Sequence, residues 1–197
     1  MSYKPQSNFH SNKSQQNKVQ NNPKNKYENK SKGLVEINQG DLKQAGDLSS
    51  FKLAIITSRF NAEVTGKLLA GAKERCAELG IKNLMIIHVP GAVEIPLIAQ
   101  EIAVSQEYDA IIALGAVIRG ETSHYDYVCD QVSQGCQKVM MDFAVPVIFG
   151  VLTTENDDQA RERIGGKHGH KGRDAVDAAC EMICILNHEH FPMAAGE

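Results

Sequence analysis

Four short segments of the sequence carry side chains that could bind and transform a small molecule. Phe60 could stack on a planar ring, Glu94 could accept hydrogen bonds from hydroxyl groups, and the imidazole of His124 could move protons. Taken singly, each has a simpler reading: an edge aromatic, an acid at a helix start, and a helix cap. The segments are 58–61 (SRFN), 90–94 (PGAVE), 119–124 (RGETSH) and 153–156 (TTEN).

Segment 119–124 has the features of a phosphate-binding loop. Gly120 would let the backbone approach an anion, and Thr122 offers a hydroxyl. A helix predicted to begin at His124 would present unpaired N–H groups and the positive end of its dipole. The segment is neither a Walker A nor a G-x-G-x-x-G motif, which disfavours nucleoside triphosphates and dinucleotides. The four segments together favour a planar, hydroxylated and phosphorylated small molecule.

Each segment follows a nearly continuous run of Ile- and Val-rich residues, as expected for a site at the carboxyl ends of buried parallel strands. The predicted strands are 53–57, 84–89, 110–118 and 145–153. Apolar residues at three- and four-residue spacing predict a helix in each gap and two more afterwards. The predicted helices are 64–79, 92–105, 124–143, 157–164 and 174–188. The apolar stripe of the third comprises Tyr127, Val128, Val132, Cys136, Val139 and Met140.

Alternating strands and helices predict the α/β class, as a three-layer α/β/α sandwich of the flavodoxin-like type around a four-stranded parallel sheet. Residues 33–38 (GLVEIN) could add a short fifth strand, either at an edge of this sheet or on a neighbouring subunit. We expect residues 34–197 to form one domain, since their number is typical of a single hydrophobic core.

Composition disfavours several other classes of protein. The longest uncharged apolar stretch, 143–154, is shorter than a membrane-spanning helix requires. Five cysteines without a C-x-x-C pair or a secretory signal favour reduced thiols in the cytoplasm over a disulfide scaffold. The His168-x-His170 and His188-x-His190 pairs lack further ligands at usable spacing, so we predict no metal site.

Residues 1–33 differ in composition from the rest of the chain. They hold seven Lys and one Glu, a net charge of +6, whereas residues 34–197 carry −9. Rich in Asn, Gln, Ser and Lys, they offer too little apolar surface to fold, so we predict a disordered basic extension. We expect the extension to be a solvated tail. The alternatives are a targeting peptide and a segment that binds RNA or an acidic surface.

Over residues 34–197 the chain resembles the 6,7-dimethyl-8-ribityllumazine synthases. Order, spacing and length of five motifs carry the resemblance. These are SRFN at 58–61, VPGAVEIP at 89–96, LGAVIRGETSHYDYV at 114–128, PVIFGVLTTEN at 146–156 and QARERIGGKHGHKG at 159–172.

The resemblance implies the penultimate step of riboflavin biosynthesis, catalysed by a transferase without a cofactor. In that reaction 5-amino-6-(D-ribitylamino)uracil condenses with (3S)-3,4-dihydroxy-2-butanone 4-phosphate to give 6,7-dimethyl-8-ribityllumazine, phosphate and water. A non-catalytic cage protein that binds lumazine or flavin is the alternative. It would keep Phe60 and Glu94 but would not need His124 together with Arg163.

The resemblance also implies roles for individual residues. By similarity, His124 is catalytic and moves protons, while Phe60 stacks on the pyrimidine. The other implied substrate-binding residues are Ala92, Val93 and Glu94 for the ribityl chain and ring edge, Ala116, Val117 and Ile118 for the pyrimidine, Glu121 and Thr122 for the phosphate, and Phe149, Arg163 and Lys171, of which Phe149 and Arg163 come from the adjacent subunit.

Two positions depart from the family pattern. Val93 stands where many members carry phenylalanine, which removes one aromatic wall. His170 replaces the commoner asparagine, which weakens the implied role of Lys171 and could add pH sensitivity.

The family resemblance implies a homopentamer, and residues 165–169 (GGKHG) fit the loop of members that form a sixty-subunit icosahedral shell. Small-molecule substrates are the expected ligands, and riboflavin synthase is a candidate partner. We expect no membrane association and disfavour nucleic acid.

Overall fold

The computed structural model describes residues 42 and 46–188, and a four-stranded parallel sheet forms their centre. The strands are β1 (Lys52–Ser58), β2 (Asn83–Val89), β3 (Ala110–Ile118) and β4 (Val147–Thr154), in the order β2-β1-β3-β4. Eight of the nine residues of β3 are buried, which explains why its sequence is a continuous apolar run. The predicted basic extension 1–33 and the predicted strand 33–38 lie outside the described residues.

Helices cover both faces of the sheet, which confirms the predicted α/β/α sandwich of the flavodoxin-like type. On one face, Leu68 and Val176 pack with strand residues such as Ile55. On the other face, Ile95 and Val132 pack in a second apolar cluster. The helices of the first face are α1 (Ala62–Glu78) and α5 (Lys171–Leu186), and those of the second are α2 (Ile95–Ser105) and α3 (His124–Phe143).

The predicted helix 157–164 is too long. Helix α4 covers only Asp157–Arg161, and the chain then enters a hairpin of β5 (Ile164–Gly166) and β6 (Gly169–His170). Gly165 has φ +114° and Gly169 has φ +75°, conformations that favour glycine, so the chain can turn here instead of extending the helix. This hairpin was not predicted from the sequence.

The predicted start of the last helix is also wrong. Helix α5 begins at Lys171 rather than at residue 174, and the Lys171 ammonium pairs with the Asp174 carboxylate at 2.8 Å within its first turn. Gly172 lies against the backbone of Leu68 in α1, so the two helices make close contact where α5 begins.

Smaller differences concern the other elements. Strand β4 begins at Val147 and not at residue 145, because Pro146 has no N–H for the ladder. Residues Ala92–Glu94 form a short 3₁₀ turn before α2. Tyr127 was predicted on the apolar stripe of α3 but is 66% exposed, whereas Tyr125 is partly buried and packs against the second cluster.

Within the described ranges, no helix is both long and apolar enough to cross a membrane. All five cysteines are unpaired thiols.

Candidate active site

The strand order creates a crevice between β1 and β3. The chain crosses from β1 to β2 on one side, while β3 lies on the other side, and the carboxyl ends of such diverging strands are where α/β sheets bind ligands. The β1–β3 ladder ends at the Thr57–Leu114 pair, whereas β3 stays paired with β4 as far as Ile118. At the end of β3, the backbone N–H and C=O groups that face the crevice are therefore not paired with β1.

A cavity of about 390 Å³ occupies this position, and we call it the crevice cavity. Its walls come from the loops after β1, β2 and β3 and from the first turns of α3. It is lined by Phe60, Gly91, Ala92, Val93, Glu94, Ala116, Val117, Ile118, Gly120, Thr122, His124, Tyr125 and Val128.

Phe60 forms the outer wall of the crevice cavity, with 69% of its surface exposed. Its backbone N–H donates to Pro90 O at 3.1 Å, so the loops after β1 and β2 are joined. The next residue, Asn61, is in the left-handed region with φ 56°, and its Nδ2 donates to Ala116 O at 2.9 Å. A large apolar side chain held by fixed backbone contacts yet left in solvent is a candidate ligand contact.

The loop after β2 is closed by Glu94. One carboxylate oxygen, Oε2, accepts from the Gly91 backbone N–H at 2.8 Å, in a capping arrangement. A Cβ at Gly91 would lie 3.0 Å from that oxygen, so a glycine suits this position. The described structure gives Glu94 no other hydrogen-bond partner, which leaves Oε1 as an acceptor at the cavity wall.

The loop between β3 and α3 is exposed throughout residues 119–124. The His124 backbone N–H donates to Thr122 Oγ1 at a long 3.4 Å, and the side chain of Ser123 does not cap the helix. The Asp126 backbone N–H donates to Ser123 O at 3.0 Å, so the weakly held donor at this helix start is that of His124, beside the cavity. A weakly held N–H at a helix start is available to an anion. Glu121 is exposed but does not line the cavity.

A second cavity of about 380 Å³ lies along β4 and the start of α5, and we call it the edge cavity. Phe149, 42% exposed, projects from β4, which is an edge strand of the sheet. Arg163 Nη1 donates to Gln159 O at 2.8 Å, and Lys171 Nζ pairs with Asp174. Two cations against one carboxylate give this cavity a basic lining.

The thirteen predicted site residues therefore separate into groups. Nine line the crevice cavity, three line the edge cavity (Phe149, Arg163 and Lys171), and Glu121 lines neither. Sequence reasoning missed Tyr125 and Val128 as cavity residues, although their three-residue spacing at the start of α3 was an available signal. Of the four predicted segments, 153–156 reaches the crevice only indirectly, because Glu155 pairs with Arg119 at 2.7 Å.

Burial raises the pKa of two side chains beside the crevice, Tyr125 and Cys129. Desolvation raises the pKa of Tyr125, and hydrogen bonding to Cys129 acts in the same direction. Desolvation also raises the pKa of Cys129, which keeps this thiol protonated and a poor nucleophile at neutral pH. Among the residues described, no group of three or more His, Cys, Asp or Glu side chains is arranged to hold a metal ion.

Comparison with known proteins agrees with the geometry. The family model described as 6,7-dimethyl-8-ribityllumazine synthase matches residues 50–187. Similar proteins include the 6,7-dimethyl-8-ribityllumazine synthases of Coxiella burnetii strains CbuG_Q212 and RSA 493 / Nine Mile phase I. Each is 56% identical over 140 residues, which cover 70% of this chain and 93% of the relative. The matched region contains every element that lines either cavity, and we conclude that the chain belongs to the 6,7-dimethyl-8-ribityllumazine synthase family.

Proposed function

We propose that the protein catalyses the condensation of 5-amino-6-(D-ribitylamino)uracil with (3S)-3,4-dihydroxy-2-butanone 4-phosphate. The aromatic amine would attack the ketone and lose water to give an imine, and elimination would release inorganic phosphate. Elimination would leave an enol at C3 of the former butanone, and this enol would tautomerise to a new ketone. The ribitylamino nitrogen would then attack that ketone and lose a second water, which closes the ring of 6,7-dimethyl-8-ribityllumazine. Family membership and the shape of the crevice support this reaction.

The crevice cavity would hold the pyrimidine substrate. Phe60 would stack on the ring, and the backbone edge of Ala116–Val117–Ile118 would offer hydrogen bonds to its polar groups. The ribityl hydroxyls would lie along residues 92–94, where Glu94 Oε1 can accept while Oε2 keeps the loop closed. Because Val93 is smaller than the phenylalanine common at this position, the wall opposite Phe60 would be less aromatic.

The edge cavity would complete the site from an adjacent subunit. Phe149, Arg163 and Lys171 line a different cavity from Phe60 and His124. Phe149 lies on the edge strand β4, Arg163 lies between α4 and β5, and Lys171 begins α5. A head-to-tail contact between subunits would place one chain's edge cavity against the next chain's crevice. Arg163, which the described structure leaves without a carboxylate partner, would bind the phosphate bidentately. Glu121 and Thr122 would contact the phosphate from the crevice side.

Orientation would supply most of the rate enhancement. Two substrates held in contact gain an effective concentration of up to about 10⁵–10⁸ M, whereas one general acid–base group gives about 10²–10⁴. His124, exposed at the cavity wall, would move protons during imine formation and phosphate loss. Its contribution would therefore be smaller than that of the residues that hold the substrates.

We further propose a pentamer that assembles into an icosahedral shell, as the motif at 165–169 predicts. The glycines of this motif also serve the β5–β6 hairpin, since Gly165 and Gly169 have positive φ and a Cβ at Gly166 would meet the backbone of Glu162. Shell contacts would then depend on the exposed side chains of Lys167 and His168. Light scattering would separate pentamers from shells.

The main support for the proposal is that the chain has both a crevice cavity with an aromatic wall and a separate basic edge cavity. The proposal is tested by following the absorbance of the lumazine chromophore. Purified protein, its Arg163→Ala variant and a reaction without enzyme would each receive both substrates. We expect acceleration by the wild type and a raised requirement for the phosphorylated ketone in Arg163→Ala. Product formation at the uncatalysed rate, together with tight lumazine binding, would instead support a storage protein.

A further inference from the structure

Arg119 links the end of β3 to the end of β4 and to the first turn of α3, beside the crevice cavity. From the end of β3, its Nε donates to Glu155 Oε2 at 2.7 Å just after β4, and its Nη2 donates to Asp126 Oδ1 at 3.0 Å in the first turn of α3. Its guanidinium carbon lies 4.0 Å from the ring centroid of Tyr125. The Arg119 backbone N–H adds a hydrogen bond to Thr154 O at 2.9 Å.

From these contacts, we propose that Arg119 is a positioning residue that fixes the phosphate-binding loop 120–123 and the Tyr125 wall of the crevice cavity. The proposal rests on the proposed function, since it concerns how the phosphorylated ketone is bound. Arg119 itself does not line the cavity, so its effect would pass through the loop and through Tyr125.

The loop needs such an external support because its internal contacts are few. Residues 120–123 are exposed, Ser123 provides no side-chain cap, and Gly120 has open space around its Cβ position. Arg119 holds the loop at both ends, by lying at its start and by binding Asp126 just beyond its end. A planar guanidinium can make these two ion pairs and stack on an aromatic ring at the same time, which an ammonium group cannot.

Arg119 also balances charge where an anion would bind. The carboxylates of Asp126 and Glu155 both pair with it, and Glu121 lies in the same loop. Hydrogen bonding to Asp126, followed by that to Glu155, raises the pKa of Arg119, so it stays charged at any working pH. Without the guanidinium, two uncompensated carboxylates would oppose the approach of a phosphate.

Tyr125 transmits the effect into the cavity. Its ring lies under the Arg119 guanidinium and packs against the second apolar cluster, and its side chain lines the cavity. Loss of the stacking cation would release a side chain that forms part of the cavity wall.

The test is steady-state kinetics of the full-length protein with each substrate varied in turn. Arg119→Gln removes the positive charge, and Arg119→Lys keeps the charge without the planar guanidinium. The double variant Arg119→Gln/Asp126→Asn restores part of the charge balance without the contacts that the guanidinium makes. Arg75→Gln is the matched control, because Arg75 also binds two carboxylates, Asp177 at 2.6 Å and Glu78 at 3.0 Å. Unlike the Tyr125 ring beside Arg119, neither of these partners lines the crevice cavity or the edge cavity.

We expect Arg119→Gln to raise KM for the phosphorylated ketone by about 10- to 100-fold, as for the loss of a charge-assisted contact, and to change KM for the pyrimidine far less. Arg119→Lys should reverse only part of the rise in KM for the phosphorylated ketone. The double variant Arg119→Gln/Asp126→Asn should reverse only the part of that rise that depends on salt concentration. Equal KM values for Arg119→Gln, Arg75→Gln and the wild type would overturn the proposal, as would full recovery in Arg119→Lys.

The outcome can be separated from a failure of the proposed function. If the wild type shows no turnover, the proposed reaction is wrong, and calorimetric binding of inorganic phosphate then tests Arg119 alone. Weaker phosphate binding by Arg119→Gln than by Arg75→Gln would support the inference, and equal binding would refute it. If Arg119→Gln fails to fold, Arg119→Lys decides by the same comparison.

Discussion

Replacement of Gly172 by alanine should destabilise the protein by forcing α1 and α5 apart. A Cβ at Gly172 would lie 2.1 Å from the carbonyl oxygen of Leu68 and 2.9 Å from its carbonyl carbon. Both atoms belong to the α1 backbone, so no side chain can rotate away, and the helices must separate by about 1 Å to reach ordinary contact. These helices cover one face of the sheet, so the shift would loosen the cluster that contains Leu68 and Val176.

The expected loss is about 2–3 kcal/mol of unfolding free energy, the usual cost of overpacking a tight contact. In a chain of this size, that loss lowers Tm by about 4–12 °C. Gly66 provides the matched control, since it is exposed in the middle of α1 and has nothing within 4 Å of its Cβ position. Gly66→Ala should raise the unfolding free energy by about 0.5–1 kcal/mol.

Urea unfolding followed by circular dichroism, at one subunit concentration for all proteins, measures both changes. The change in unfolding free energy should have opposite signs for the same glycine-to-alanine substitution at positions 172 and 66. An unfolding free energy of Gly172→Ala within about 0.5 kcal/mol of the wild type would refute the close helix contact. Because Lys171 precedes Gly172 at the start of α5, a destabilised variant that keeps its fold should also bind phosphate more weakly.

Three further results are expected. Phe60→Ala should leave Tm unchanged, because the side chain is 69% exposed, but should raise KM for the pyrimidine; a fall in Tm without a kinetic effect would contradict this. His124→Ala should keep measurable activity, because orientation of the substrates contributes more than one acid–base group. Arg163→Ala should raise KM for the phosphorylated ketone, and Arg163→Lys should bring that KM only part of the way back. A folded but inactive His124→Ala protein would contradict the smaller contribution assigned to His124. Burial raises the pKa of Cys136 to about 11 and of Cys180 to about 12 from an ordinary value of 9.0, so unfolded thiols ionise first and stability should fall as pH rises above about 9. Urea titrations at pH 8 and pH 10 should show a smaller fall for Cys180→Ala than for the wild type, and an equal fall would argue against buried thiols as a cause.

Elements governed by local pattern could be predicted from the sequence. Helix α3 runs from His124 to Phe143 as predicted, because polar loop residues precede its apolar stripe and a buried strand follows. Strand β3 matches its predicted bounds because both of its faces are buried. Gly80, with φ +74°, follows the end of α1 as predicted.

Elements governed by tertiary contacts could not be predicted in the same way. The early start of α5 accompanies the packing of Gly172 on Leu68, and a contact between distant segments leaves no periodic signal. The choice of Tyr125 over Tyr127 for the packed face of α3 is different, because local spacing does specify it. Tyr125 and Tyr127 lie on nearly opposite faces of the helix, and the three-residue spacing from Tyr125 to Val128 places Tyr125 on the apolar stripe.

The candidate site divides along the same line. Phe60, Glu94 and His124 could be predicted from the sequence because they follow strands whose carboxyl ends must meet at one edge of the sheet. Residues 116–118, which lie within β3, were implied only by the family resemblance. The proposed role of Arg119 could not be predicted, because its two ion pairs link residues from different loops. For Phe149 and Arg163, only family resemblance suggested a common site with Phe60, since no pattern within one chain specifies contacts between subunits.

The central claim is that one subunit's crevice cavity and the next subunit's edge cavity form a single active site. It is tested most directly by co-assembling two impaired variants, Phe60→Ala/Glu94→Ala and Arg163→Ala, in equal amounts. The assay uses a ketone concentration below the raised KM of Arg163→Ala, where both parent variants turn over slowly. Random assembly should give both wild-type halves at about one quarter of the interfaces, so lumazine synthesis should return to about a quarter of the wild-type rate. Activity no greater than the mean of the two parent variants, in assemblies shown to contain both, would contradict a shared site.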